Sequence, residues 1–149
     1  MGLSLSRFKV DKQRATEGVR VELGQGAWIR VARAKNARFV AFVQDKLAPY
    51  ANQVRLGTLD PAIMMEVTVE AVARHILLDW GGLLDAEGEE LPYSVENAIQ
   101  VLTELEEFAE IVDKSSTDKA LFRADQVESA VGKSSALSDG TTSGETQAP

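Results

Sequence analysis

The sequence predicts an α+β fold, a mostly α-helical small domain in which an N-terminal β-hairpin packs on three to four helices. Apolar and polar residues alternate between Val19 and Val31, as is typical of strands, and apolar residues recur at helical spacing from Lys35 onward. After Gly132 the chain has almost nothing to bury, so we expect disorder there. The predicted parts are a flexible arm, one domain and a disordered Ser/Thr/Gly-rich tail: residues 1–17, 18–131 and 132–149.

Two short strands open the predicted domain. Val19, Val21 and Leu23 alternate with polar residues, and a second alternating run starts at Ala27 after the turn Gly24-Gln25-Gly26. Because two strands alone are marginal in water, the hairpin must pack on helices or pair with the edge of another copy.

The next apolar residues predict two helices. The first starts near Lys35 and is disrupted at Pro49, and residues 52–59 form a connector. Asp60-Pro61 is typical of an N-cap followed by proline in the first helical position. The helix from Pro61 to Trp80 is apolar around most of its circumference, so it is either central to the core or buries a second face against another molecule.

A third helix is predicted from the N-cap Ser94 to about Val112, with one clear apolar stripe. Four glutamates lie mostly off this stripe and face water. A last short helical segment is expected from Asp118 to Val131. Glycine and polar residues between Trp80 and Ser94 predict a loop.

Composition excludes several kinds of chemistry. The 149 residues contain no cysteine, which excludes disulfides, thiolate nucleophiles and cysteine-ligated metals. No apolar run approaches the roughly 18 residues that span a bilayer, so we expect a soluble protein without a membrane partner. The net charge is −7, divided between +7 in residues 1–59 and −14 in residues 60–149. The two halves can therefore attract each other within or between subunits.

No catalytic residue, metal ligand or cofactor site is predicted. His75 is the single histidine, and Asp79 four residues later would share its helical face, which favours a structural or interface hydrogen bond. A nucleophile to complete a triad is not indicated, and one histidine without cysteine makes a zinc site improbable. The acidic turn at residues 85–90 lacks the spacing of a calcium loop.

Two sequence blocks resemble a known family. The first runs His75-Ile76-Leu77-Leu78-Asp79-Trp80, then Asp85-Ala86-Glu87-Gly88, then Leu91 to Ala98, and the second runs from Ala27 to Phe39. Their order and spacing resemble the tail assembly chaperones of long-tailed (siphovirus, lambda-like) bacteriophages, over roughly residues 19–112. Val95 and Ala37 stand where the family pattern has proline, which affects local rigidity.

The resemblance implies a phage protein that is not an enzyme. A member of that family binds the tape measure protein, keeps it soluble and assists assembly of the tail tube from its subunits. It acts in the cytoplasm of the bacterial host and is absent from the mature virion. The family also often makes a longer product by ribosomal frameshifting, and Val131-Gly132-Lys133 can be encoded by a slippery heptanucleotide. This chain would be the short product.

The predicted contact surface for a partner consists of seven residues, and self-association through the hairpin edge is also expected. They are Trp28, Met64, Met65, His75, Asp79, Trp80 and Tyr93. Two other functions remain open. One is a structural minor tail component. The other is a nucleic-acid-binding accessory protein that uses Arg30, Arg33 and Arg38, although the acidity of the whole chain argues against it.

Overall fold

A computed structural model describes residues 2–123 of the chain. Its described residues divide into two compact units, Lys12–Asp118 and a smaller one that combines residues 2–11 with residues 119–123. In the described part of the smaller unit, short 3-10 helices span Leu5–Phe8 and Lys119–Phe122. Its two segments are joined by a bridge between Val10 and Arg123 and by a hydrogen bond from Asp11 N to Phe122 O of 2.9 Å.

The larger unit contains six α-helices and three strands in its described residues. Their bounds in chain order are α1 Lys12–Glu17, β1 Val19–Gly24, β2 Ala27–Val31, α2 Ala37–Leu47, α3 Ala51–Leu56, α4 Pro61–His75, β3 Leu77–Gly81, α5 Val95–Glu104 and α6 Glu106–Ser116. The predicted α+β class and the N-terminal hairpin are confirmed. The arm predicted over residues 1–17 contains α1 and a 3-10 helix.

The three strands form one antiparallel sheet in the order β1-β2-β3. The prediction of a helix through Trp80 is wrong, because α4 ends at His75 and the next five residues form β3. Ile29 of β2 lies opposite Trp80, so the outer edge of β2 is paired within the chain, while β1 is an edge strand of the sheet. A short apolar run such as Ile76 to Leu78 suits a helix or a strand equally. Here it continues into a strand because the outer edge of β2 is available for pairing.

Gly81, at the end of β3, permits a close approach between neighbouring strands. Trp28 of β2 lies opposite it, and a Cβ atom on Gly81 would overlap the indole ring. In the sequence-based prediction this glycine lies in the loop after Trp80. Its role in the fold is instead to make room for the tryptophan.

The helix predicted from Ser94 to Val112 is broken into α5 and α6. The break is at Leu105, whose φ of −116° and ψ of 90° are extended, with neither glycine nor proline beside it. Tertiary packing explains the break, because α6 turns back and places Phe108 edge-on to Trp80, with ring centroids 6.3 Å apart. The predicted N-cap is confirmed, since the Ser94 side chain accepts a hydrogen bond from Asn97 N at 3.0 Å.

The connector predicted at residues 52–59 is also partly wrong, because α3 occupies most of it. Gly57 ends α3 in the left-handed conformation, with φ of 71°, and its N–H is directed to the carbonyls of Gln53 and Val54. The predicted tail, the frameshift codons of residues 131–133 and most of the last predicted helix lie outside the described residues.

The core of the larger unit lies between the sheet and helices α4, α5 and α6. Its buried residues are Ile29, Val31, Ala73, Ile76, Leu77, Trp80, Ala98, Val101 and Val112. By contrast, α2 and α3 contain no buried residue, and α2 packs mainly on α4. The helices α2 and α3 and the first turns of α4 therefore contribute little to the core and leave apolar side chains exposed.

Candidate functional site

A continuous groove runs along α4. Its central hollow has a volume of about 470 Å³ and is lined by α2, α4, α5 and α6. A second hollow, between α4 and α5, shares Met65, Val69 and Leu102 with it. A third hollow, lined by α6 alone, shares Ala109 and Asp113 with it. We call these three adjoining hollows the α4 groove. The apolar residues of its central part are Ala34, Phe39, Met65, Val69, Val72, Ile76, Leu102, Ala109 and Val112.

The groove exists because α4 carries more apolar surface than the core uses. Val67 and Ala71 are buried four residues apart on one face of α4. Met65, Val69 and Val72 form a separate stripe at helical spacing, and this stripe is the floor of the groove. Met65 is 66% exposed. The sequence left open whether this segment is central to the core or keeps a face for another molecule, and Met65 leaves apolar surface of α4 unburied.

Asn36 anchors the wall that α2 contributes. It is buried, and its Oδ1 caps α2 by accepting a hydrogen bond from Phe39 N at 3.0 Å. Its Nδ2 donates to Arg33 O at 2.8 Å and to His75 O at 2.9 Å. One side chain thus joins the start of α2 to the end of α4. The sequence interpretation missed this role, although an asparagine just before a helical pattern is a recognised N-cap signal.

The charged residues along the groove are mostly acidic. Five carboxylates and two ammonium groups line its three hollows: Glu66, Glu70, Glu106, Glu110, Asp113, Lys35 and Lys114. Glu70 is paired with Arg74 at 2.8 Å. Within residues 2–123, the other four carboxylates have no salt-bridge partner. The charged groups around the apolar floor therefore keep an acidic excess.

Of the seven predicted contact residues, the structure places Trp80 in the core and packs the partly buried Tyr93 against it. Trp80 is 4% exposed, and its Nε1 donates to Leu91 O at 2.8 Å. Tyr93 packs edge-on against Trp80 with centroids 5.1 Å apart, and its hydroxyl is directed to Ala73 O and Leu77 O at 2.9 and 2.8 Å. Burial, and then the charge of Asp79, raise the pKa of Tyr93. As placed, both aromatic residues hold the fold together.

The proposed pairing of His75 with Asp79 is corrected. Since Asp79 belongs to β3 and lies opposite Arg30, the two residues no longer share a helical face. The His75 ring instead packs on Phe42, with centroids 5.3 Å apart. Burial, and then the charges of Arg74 and Arg38, lower the pKa of His75. The Asp79 carboxylate accepts a hydrogen bond from Trp80 N at 2.9 Å.

The remaining predicted contact residues lie at different places. Met65 lines the groove, whereas Met64 borders a separate hollow near α3 with Val54 and Leu59. Trp28 lies on β2 and is half-buried, with the Arg20 guanidinium 4.5 Å from its ring centroid. The seven residues therefore do not form one surface, and the groove includes only Met65 among them.

Two other features, a metal-binding group and a membrane-spanning helix, are absent from the described residues. Among residues 2–123, no three histidine or acidic side chains come together in a group that could hold a metal ion. No helix in that range is both long and apolar enough to cross a bilayer.

Comparison with known proteins yields one family. The model of the family described as YdaY prophage protein matches residues 34–133, which is more than half of the chain. The chain belongs to the YdaY prophage protein family. It is therefore a phage-derived protein, and the resemblance to phage proteins seen in the sequence is confirmed at that level. The chain matches no curated protein and no solved structure.

The range matched by the YdaY family model contains the whole α4 groove. Every residue that lines the α4 groove lies between Ala34 and Thr117, inside the matched range. The β1–β2 hairpin precedes that range. The groove thus belongs entirely to the part of this YdaY chain that defines its family.

Proposed function

We propose that this YdaY family protein is a phage tail assembly chaperone, which binds the tape measure protein through the α4 groove and keeps it soluble. The observation that carries the proposal is the exposed apolar floor of the groove, with Met65 two-thirds exposed on a helix whose other face is already buried. Soluble proteins rarely leave a contiguous apolar surface without a partner.

The groove suits a helical partner with an apolar stripe. The fifteen residues of α4 extend about 22 Å, enough to contact about four turns of a docked helix. Methionine repacks easily around different side chains, which favours binding of many similar stretches of a long helical protein. Burial of one large apolar side chain contributes about 1.5–3 kcal/mol, so each contact is reversible, and repeated copies would hold a long partner through many weak contacts.

In this role the protein acts in the bacterial host cytoplasm and helps recruit tail tube subunits. It leaves before the virion is complete. No catalysis, metal or cofactor is required. A structural minor tail component would instead be present in purified virions, and a nucleic-acid-binding accessory protein would lose binding when Arg30, Arg33 and Arg38 are replaced. No feature of the groove favours either alternative.

Co-expression with the tape measure protein of the same phage tests the proposal. We expect the soluble fraction of the tape measure protein to rise several-fold and the two proteins to co-purify. Met65→Glu should abolish this effect, because it places a charge on the apolar floor. Leu84→Glu is the matched control, since Leu84 is 64% exposed and does not line the groove. A tape measure protein that stays insoluble, or a Met65→Glu variant that works normally, would refute the proposal.

A further inference from the structure

We infer that the segment held in the α4 groove is an amphipathic helix whose apolar stripe is flanked by lysine and arginine. This inference rests on the proposed function and names the chemistry of the segment that the groove selects. It depends on two features that occur together, the apolar floor and the unpaired carboxylates beside it.

The acidic residues lie on both sides of the floor. Glu66 belongs to α4 and borders the hollow that extends between α4 and α5. On the α6 side, Asp113 lines the central hollow, and Glu106 and Glu110 line the adjoining hollow along the same helix. A docked helix that buries its apolar stripe on Met65 and Val69 would therefore present its flanking residues to carboxylates on each side.

A basic partner would reduce the electrostatic repulsion among these carboxylates. Like charges along one groove repel, and no cation within residues 2–123 forms a salt bridge with Glu66, Glu106, Glu110 or Asp113. Lysine or arginine on the partner would relieve that repulsion, while glutamate there would add to it. Arg74 pairs with Glu70, and Lys35 and Lys114 offset two more of the five negative charges, so the groove keeps an acidic excess of two charges.

Synthetic peptides and the purified full chain provide the test. Two labelled helical peptides of about 18 residues carry the same leucine stripe, flanked by lysine in one and by glutamate in the other. By fluorescence anisotropy we expect the lysine peptide to bind at least roughly tenfold more tightly at low salt, and the difference to shrink as NaCl rises from about 50 to about 500 mM. Equal binding of the two peptides would overturn the inference.

Charge-reversal variants test whether the carboxylates of the groove cause the preference for the lysine peptide. Glu66→Lys with Glu110→Lys should remove the preference for the lysine peptide. Glu87→Lys with Glu89→Lys makes the same change of net charge at exposed positions outside the groove and should keep it. If both double variants lose the preference equally, the charge of the whole molecule and not the groove selects the peptide, and the inference fails.

Further outcomes show whether a second copy of the chain occupies the groove, and whether a failure concerns the peptide preference or the chaperone proposal. If the free protein is a dimer by sedimentation and Met65→Glu converts it to a monomer, the groove is an interface between copies and the inference is overturned. The peptide assay needs no tape measure protein. Loss of the basic preference would therefore leave the chaperone proposal standing, and a failed co-expression would leave the peptide preference standing.

Discussion

Single side chains in this fold connect segments that are distant in sequence. Tyr93 is the clearest case, because its one hydroxyl lies within hydrogen-bond distance of two carbonyls, Ala73 O near the end of α4 and Leu77 O in β3. It supports the backbone where the chain changes from helix to strand. Trp80 and Tyr93 were expected at a partner surface, and their large aromatic rings explain why the fold uses them for its core instead.

Tyr93→Phe should lower the free energy of unfolding by about 1–2 kcal/mol, because the carbonyls of two buried residues, Ala73 and Leu77, lose the hydroxyl donor that they share. Urea denaturation measures the change. Tyr50→Phe is the control, since the Tyr50 hydroxyl has no hydrogen-bond partner within residues 2–123, and it should change stability by less than about 0.5 kcal/mol. Equal effects of the two substitutions would contradict the role assigned to Tyr93.

His75 should make stability depend on pH. Burial, Arg74 and Arg38 lower its pKa in the folded protein below the ordinary value of 6.5, so the unfolded chain binds more protons in the acidic range. The contribution of His75 is present above pH 6.5 and is lost as the pH falls through the lowered pKa of the folded state.

Urea denaturation at several pH values between about 5 and 8 checks this effect in the wild type and in His75→Gln. The variant loses the ring contact with Phe42 at every pH, but its stability should decline less steeply on acidification. The difference between the two slopes isolates His75 from the carboxylates, which titrate in both proteins. Parallel curves would show that His75 does not contribute.

At the scale of elements, the joints between helices and strands determine the shape of the groove. Asn36 is the joint between α2 and α4, and its side-chain amide satisfies three backbone groups. Leu105 is the joint between α5 and α6, and its extended conformation lets α6 form one wall of the groove. Neither joint contains a residue that breaks helices in general.

Asn36→Asp should lower the free energy of unfolding by about 2 kcal/mol, although aspartate is as good an N-cap as asparagine. The carboxylate keeps the acceptor for Phe39 N but cannot donate to Arg33 O and His75 O. At the exposed N-cap of α4, Asp60→Asn should change stability by less than about 0.5 kcal/mol. Thermal or urea denaturation compares the pair, and similar small effects would mean that Asn36 is an ordinary cap.

For the whole molecule, the groove and the core should respond differently to substitution. Met65→Glu should reduce capture of the tape measure protein while changing the free energy of unfolding by less than about 0.5 kcal/mol, because two-thirds of the side chain is already exposed. Val67→Ala, two residues away on the buried face, should cost about 1–2 kcal/mol and leave capture intact. A large loss of stability in Met65→Glu would place Met65 in the core and weaken the chaperone proposal.

Part of the candidate site was visible in the sequence. The excess of apolar residues on α4 follows from the order of its residues, and it raised the possibility of unburied apolar surface, which Met65 shows. The walls were not visible, because Ala34, Leu102 and Val112 come from segments far apart in the chain. Each looks like an ordinary core residue until the helices that carry them are placed around α4.

The sequence by itself determined the α+β class, the hairpin and the N-caps Asp60 and Ser94, because alternation, helical spacing and capping are local properties of neighbouring residues. Only the tertiary structure decided that residues 77–81 form a strand and that the chain breaks at Leu105. A short apolar run and an uninterrupted helical pattern each fit more than one conformation. The partner that lies nearby, the free edge of β2 or the ring of Trp80, selects among them.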